Sequence, residues 1–516
     1  MAQASAAQTV EHDKRLFWGC FIALVSTSFG FIARVLTAPE WGAQFNLTET
    51  QVGEILGAGL WPFAISIVLF SLVIDKIGYK AAMWFGLLCH TLSTVIILMA
   101  QDYSMMYLGT FVLALGSGTV EAYANPVVAT VFSREKTRWL NYLHAGWPGG
   151  LVFGGILAIA LGDLYWKYKI AIILIPTVIY ALMLAAQRFP IHERVAAGVS
   201  YRDMLREVGA LGALIASAMV IMQIGQIFGW SLGVNLALIA ATTGVYAFYT
   251  RSLGRPLFIL MLLVMIPLAT TELGVDSWIT TLMSGEMTRI GINAGWVLIY
   301  TSAIMMVLRF FAGSIVHRIS PLGLLAVSAT IAAIGLFALS NAAGAMILIA
   351  ATLYGIGKSF FWPTSLGVVA EQFPRGGALT LNVVGGVGML AVGVIGAPFM
   401  GLLQDRNMDE NLAIEAPALH SQVMIQRNSI FGDYQAVNPE LAATLPPADQ
   451  EVIAQVQEQS QKDALQTIAL LPVLMLIVYI CLILYFRARG GYHPVAIEDA
   501  ASREREVSVR QAATQA

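Results

Sequence analysis

The sequence predicts an all-α polytopic membrane protein. Three observations carry that expectation. Of 516 residues, 58% are hydrophobic and only 12% charged, and the mean hydropathy is +0.73; a soluble domain has no use for so much apolar surface. Apolar runs of spanning length recur about fourteen times. The runs group as six, two and six, and the two sixes carry similar short motifs at matching places.

A polar stretch, residues 1–16, precedes the first run and forms an N-terminal tail. It flows straight into a helix of spanning length, so no cleaved signal peptide is expected. The first six runs fall at 17–38, 51–74, 81–100, 105–132, 139–162 and 167–187. They define an N-terminal bundle, 17–187. A basic stretch and two further runs, 208–229 and 232–250, make a linker over 188–255. The second bundle, 256–486, has runs at 256–283, 293–316, 322–341, 343–369, 377–403 and 464–486. Between the last two lies a polar segment, 404–463, and a tail follows over 487–516.

Charge sets the expected orientation. With the N-terminus inside, roughly 20 of the 29 Lys and Arg fall in cytoplasmic segments and about six outside. Both termini are then cytoplasmic, in a multi-pass protein of the inner or plasma membrane, and 404–463 is external. Lys167 and Lys169 are exceptions on the outer side. The net charge of −2 gives no support to nucleic-acid binding. The cysteines, Cys20, Cys89 and Cys481, all sit in apolar runs, which excludes a disulfide framework or a Cys-rich metal site.

Polar residues inside spans point to function, because each is costly there. An acid at a helix centre costs roughly 2.5–3.5 kcal/mol on insertion scales. Glu121 and Asn125 are spaced i, i+4, and Asn141 and His144 i, i+3, so each pair shares one helix face. Two such faces on adjacent helices can line one cavity. Glu272 and Asp276 are also i, i+4. Two acids one turn apart repel, so one stays protonated or a cation sits beside them. Glu121, Glu272 and Asp276 are therefore the candidates for proton or cation coupling. Lys358 and Trp362, again i, i+4, are expected to face the cavity. Arg34 and Lys358 would suit an anionic solute. Arg309 is expected near the cytoplasmic end as a gate residue. Among the tryptophans Trp61, Trp147, Trp278 and Trp362, the positions of Trp278 and Trp362 best suit packing on a solute ring. GIGKS at 355–359 is not a phosphate loop, since Thr352 stands where that motif needs glycine.

The sixes are repeats. SLVIDKIGYK (71–80) corresponds to GSIVHRISPL (313–322), and GTVEAYANP (118–126) to GIGKSFFWP (355–363), with Pro126 on Pro363 and Asn141 on Asn382. Repeated halves build a solute site at their interface near the midplane and rock around it. DKIGYK resembles the cytoplasmic loop motif of the major facilitator superfamily: Asp75, Lys76, Gly78 and Lys80 match, while Ser71 replaces a glycine. The second copy keeps Gly313 and Arg318. The resemblance implies a major facilitator fold, two six-helix bundles plus two extra central helices, with these residues gating the inner side. Asp75 is then expected to hold the bundles together there, close to Lys76 and Lys80.

Within the superfamily, Glu121-Ala-Tyr-Ala-Asn125-Pro126, with Asn141 and His144 after it, resembles the fucose permease family. That resemblance implies a proton-linked glutamate and a sugar-contacting asparagine. That family has an aspartate in the first helix, where Arg34 is the nearest polar residue here. The expectation is a cation-coupled symporter of a monosaccharide or similar hydroxylated solute, driven by H⁺ with Na⁺ as the alternative, working as a monomer without cofactor. Glu121, Glu272 and Asp276 would serve coupling, and Asn125, Asn141, His144, Trp278, Lys358, Trp362, Asn382 and Arg34 the solute. Nucleosides, sugar acids and other organic anions, peptides and exported drugs are alternative cargoes, and a transporter-like receptor is another class. An enzyme is not expected, because no nucleophile–base constellation or metal cluster stands out.

Overall fold

The computed structural model describes residues 2–497 except 48, 163, 277–290, 292–294, 343, 345 and 430. Among the described residues, thirteen helices are long and apolar enough to cross a membrane, and a fourteenth is shorter. In chain order these are α1 (Asp13–Ala38), α2 (Gln51–Ile77), α3 (Tyr79–Met99), α4 (Tyr103–Val131), α5 (Lys136–Ala160), α6 (Trp166–Leu184), α7 (Tyr201–Phe228), α8 (Leu232–Thr250), α9 (Pro256–Gly274), α10 (Gly295–Arg309), α11 (Ala312–Asn341), α12 (Met346–Gln372), α13 (Pro374–Glu415) and α14 (Pro447–Arg487). Helices α7 and α8 pack on each other and follow the linker; α8 is largely exposed on its outer faces, as a lipid-facing helix would be. "Linker side" below means the membrane face carrying residues 185–200, and "far side" the opposite one.

Several boundaries differ from the hydropathy reading, each for a local reason. Helix α10 stops at Arg309 because Phe310 and Phe311 form a turn. The second loop motif is drawn into α11, where Ser320 takes φ 65° and kinks the chain. Pro321 follows, and the residue before proline is sterically barred from the helical region. The first copy breaks instead at Gly78, with φ 85°.

The 404–463 segment is not an open loop. Helix α13 continues to Glu415 and α14 begins at Pro447, so both project beyond the membrane. Between them lie a short helix, Pro417–Val423, and an antiparallel hairpin of β1 (Met424–Ser429) and β2 (Gly432–Val437). Met408, Leu412, Leu419, Val423, Ile453 and Val456 give this module its own apolar core. It escaped the hydropathy pattern because its apolar residues are spaced for a small water-soluble core rather than for lipid. On the same far side, Lys169 pairs with Glu40 at 2.5 Å, which accounts for one of the two lysines that break the charge rule.

The bundles meet along α5 with α10 and α12, and along α13 with α2 and α4. Small residues allow the approach. A Cβ on Gly367 of α12 would lie 2.3 Å from the Thr137 hydroxyl of α5.

Candidate functional site

Three prolines shape the centre of the molecule. Proline lacks the N–H that would bond the carbonyl four residues back, and so leaves that carbonyl free. Pro126 frees Ala122, Pro148 frees His144 and Pro363 frees Ser359. Side chains take up all three carbonyls. Asn382 Nδ2 donates to Ala122 O at 3.0 Å. Arg309 Nη1 donates to His144 O at 2.6 Å and its Nε to Ser359 O at 2.7 Å. The third guanidinium nitrogen, Nη2, donates to Glu272 Oε1 at 2.9 Å. Arg309 thus binds α5 of the first bundle, and α9 and α12 of the second, from a buried position.

Glu272 sits in a π-turn, Thr270–Gly274, just after Pro267. Its Oε2 accepts the backbone N–H of Trp362 at 3.2 Å. Tyr354 Oη donates to the Thr271 carbonyl at 2.6 Å. The π-turn changes the helical register, and each of the two acids meets its own cation. Asp276 pairs with Lys358, whose ammonium also lies 5.0 Å over the Tyr354 ring.

In the first bundle, Asn125 Nδ2 donates to Glu121 Oε2 at 2.6 Å. The Asn125 Oδ1 is then the acceptor facing His144 Nε2 at 2.9 Å, which calls for the tautomer with a proton on Nε2. Glu121, Asn125 and His144 form one chain of hydrogen bonds. It continues through the His144 carbonyl to Arg309 and Glu272 in the other bundle. Phe63, Glu121, His144, Trp147, Glu272, Leu273, Arg309, Trp362 and Met389 enclose a cavity of about 30 Å³. A water needs ~10–15 Å³ on this measure, so the space holds a water or two, and a monosaccharide needs the bundles to part.

The placements differ from expectation at several residues. Arg309 is in the cavity wall rather than at a gate, because α10 ends there. Lys358 is buried behind the wall with Asp276, since the break at Ser359–Phe360 aims it at α9 rather than at the cavity. Asn141 and Asn382 are not in the cavity wall. Asn141 Nδ2 donates to Thr137 O at 2.9 Å and Thr364 Oγ1 at 3.2 Å, across the bundle interface. With Asn382 on Ala122, the repeat-related asparagines each tie one bundle to the other. Arg34 lies against Gly59 and does not pair with Glu121. Trp61 packs on Phe111 with ring centroids 5.3 Å apart. Trp278 lies outside the described residues. Among the described residues, no cluster of three His, Cys, Asp or Glu is placed to hold a metal.

The linker side is shut by a second set of contacts. Asp75 pairs with Arg194 of the linker at 2.5 Å, not with Lys76 or Lys80. Lys76 lies 4.6 Å over the Tyr201 ring, and Lys80 donates to the Gln187 carbonyl at 3.3 Å. Lys136 of α5 pairs with Glu193 and reaches the Ala370 carbonyl at 3.2 Å. Glu371 accepts from Thr137 through both its hydroxyl, 2.6 Å, and its backbone N–H, 3.1 Å. The C-terminal tail straps across: Tyr492 Oη donates to Glu371 Oε2 at 2.7 Å, and Val495 N–H to Glu371 O at 2.8 Å. Glu135 bridges Arg138 and His317. Burial works to raise its carboxyl, but the hydrogen bonds and charge of Arg138, with the His317 contact, outweigh it and hold it below the usual range. Burial, reinforced by Lys136 and Arg194, pushes His192 down to about 3. Arg318 is exposed. Sequence reasoning missed Thr137, Glu371, Thr364 and Arg194, which carry no charge anomaly of their own; the prolines were the legible signal for the carbonyls.

The sequence profile described as Major Facilitator Superfamily matches residues 19–285, more than half of the chain. The chain belongs to the Major Facilitator Superfamily. It is a multi-pass membrane transporter, not an enzyme. It is 29% identical over 128 residues to the L-fucose-proton symporter of Escherichia coli and 24% identical over 127 residues to the minor myo-inositol transporter of Bacillus subtilis. Those stretches cover 24% of this chain and 28% and 29% of the relatives, so the sequence match spans under a third of either. Solved structures match far more of it. The E. coli fucose:proton symporter aligns over 88% of this chain and 98% of its own, with TM-score 0.54 and 17% identity. A proton:xylose symporter aligns over 91% and 95%, with TM-score 0.61 and 12% identity. These likenesses confirm the major facilitator fold. Beside that fold, α7 and α8 bring the transporter to the expected two sixes and a central pair.

Proposed function

We propose that this transporter carries a small hydroxylated solute, of the monosaccharide class, coupled to protons by alternating access. One observation carries the coupling assignment. Lys358 is claimed by Asp276 and Arg309 by Glu272, while Glu121 meets only a neutral amide at hydrogen-bond distance, with His144 Nε2 3.9 Å away. An intramembrane carboxyl without its own cation can hold and release a proton as the site changes its access to water. Asn125, His144, Trp147 and Trp362 offer donors, acceptors and ring faces of the kind a sugar needs. The resemblance to fucose, inositol and xylose transporters supports the solute class. The excess of Lys and Arg on the linker side supports placing that side, with both termini, in the cytoplasm. The contacts through Asp75 and Glu371 would then hold the cytoplasmic side shut.

The test is Glu121→Gln in proteoliposomes with labelled monosaccharides and imposed pH and Na⁺ gradients. Glutamine keeps hydrogen bonds but has no proton to lose. Gradient-driven accumulation should vanish while solute exchange persists. Normal accumulation by the variant would refute the assignment, and uptake driven by Na⁺ alone would move the coupling to another ion.

A further inference from the structure

We infer that Arg34 is an anion-recognition residue on the solute path, so that the hydroxylated solute carries a carboxylate, as a sugar acid does. This rests on the cavity being the solute site. Three cations sit in mid-span: Arg34, Arg309 and Lys358. Two are neutralised by acids. Arg34 is 4% exposed, and its Nε donates to Gly30 O of its own helix at 2.8 Å. Its Nη1 is buried without a partner, and no described carboxylate pairs with it. A guanidinium kept from water without a counter-charge is unfavourable, and such residues mark substrate and ion pathways.

The position fits that role. Arg34 is one turn beyond Phe31 on α1, toward the far side. Gly59 is one turn beyond Phe63, in the same direction, because α2 runs opposite to α1. Phe31 and Phe63 both pack on Trp147, with ring centroids 6.1 and 6.5 Å away. Trp147 and Phe63 belong to the cavity wall. Arg34 and Gly59 therefore form the next layer out from the cavity. The guanidinium lies in the notch that Gly59 leaves: a Cβ there would meet Nη1 at 2.0 Å. A planar guanidinium presents paired donors that match carboxylate oxygens.

The charge count agrees. Once the two ion pairs are set aside, the path holds, among the described residues, one acid, Glu121, and one cation, Arg34. A proton on the first and a carboxylate on the second leave the net charge of the loaded protein unchanged. One proton moving with one monoanion is electroneutral, so uptake should follow the pH gradient and ignore membrane voltage.

The test is proteoliposome uptake of D-glucuronate and D-gluconate against D-glucose and myo-inositol, with wild type, Arg34→Gln, Arg34→Lys and Gly59→Ala. The expected result is uptake of the acids, driven by pH and unaffected by a valinomycin-clamped potential. Arg34→Gln should cut acid uptake a hundredfold or more, Gly59→Ala should raise the half-saturating concentration about tenfold by displacing the guanidinium, and Arg34→Lys should keep a measurable part. Arg34→Lys and Gly59→Ala keep the charge, so loss in Gly59→Ala with wild-type elution on size exclusion separates recognition from misfolding. Uptake of neutral sugars alone, unchanged in Arg34→Gln, would overturn the inference and leave hydroxylated-solute transport standing. Acid uptake indifferent to Arg34→Gln would also overturn it. Uptake of none of the four would count against both readings.

Discussion

Glu371 of α12 caps the start of α5 in the opposite bundle, taking the hydroxyl of Thr137 at 2.6 Å and its backbone N–H at 3.1 Å. A helix N-terminus has N–H groups without partners and favours negative charge. Here the cap comes from the other half of the molecule, so it exists only while the linker side is closed. Hydrogen bonds to charged groups contribute roughly 1.5–3 kcal/mol. Glu371→Ala should therefore shift the equilibrium toward the linker-side-open form by about ten- to a hundredfold. Spin labels at the exposed positions Lys80 and Arg318, one on each bundle, should report the longer distance.

The same labels test pH. His192 accepts the Arg194 N–H on Nδ1 at 3.0 Å in a buried site beside Lys136 and Arg194. Its value of about 3 in the closed form lies below the ordinary 6.5. A depressed histidine binds fewer protons when closed than when exposed, so closure is fully supported above about pH 6.5 and weakens as pH falls toward 3. Between those values the closed-to-open ratio should drop by up to about tenfold per unit from this group. His192→Asn keeps an acceptor without the titration and should flatten that dependence; an unchanged slope would remove His192 as its source.

Restoring a missing N–H should disturb the centre. In Pro363→Ala the helix N–H competes with Arg309 for the Ser359 carbonyl, which the guanidinium now holds at 2.7 Å. The helix straightens and gains stability, up to ~3 kcal/mol if the break is fully repaired. Arg309 loses one of its anchors, and turnover should fall roughly tenfold, the effect of about 1.4 kcal/mol on a barrier. A higher melting temperature with slower transport is the expected pairing. Slower transport with a lower melting temperature would mean the kink itself holds the fold.

Asn141 and Asn382 separate binding from motion. Each donates across the bundle interface, and each keeps a buried Oδ1 without a partner. Asn141→Ala and Asn382→Ala should change the rate of interconversion more than the solute affinity, by roughly 1 kcal/mol or fivefold each. Equal loss of equilibrium binding in both variants would place them at the solute after all.

The spans, the repeat and the Glu121–Asn125–His144 cluster were legible because helical spacing and the expense of polar groups in lipid act locally. The partners of the cations were not. Arg34, Arg309 and Lys358 face Glu121, Glu272 and Asp276 as three against three in the sequence, and nothing local decides the pairing. It is decided by where helices break: α10 at Phe310, α12 at Ser359 and α9 in its π-turn. Proline positions mark two of those breaks, Pro363 in α12 and Pro267 in α9, and Pro126, Pro148 and Pro363, counted back four residues, also name the carbonyls that bind Arg309 and Asn382. Gly59 shows the converse case, a glycine whose reason is a guanidinium on another helix.

The module at 404–463 packs on α11, α13 and α14, all of the second bundle. A transporter buried in lipid or detergent offers little protruding mass for aligning images of single particles. This chain carries its own landmark on one half only, and the hairpin of β1 and β2 breaks the near-symmetry of the two bundles to the eye. A fluorophore on that hairpin would also follow the second bundle as it tilts against the first, without touching the path the solute takes.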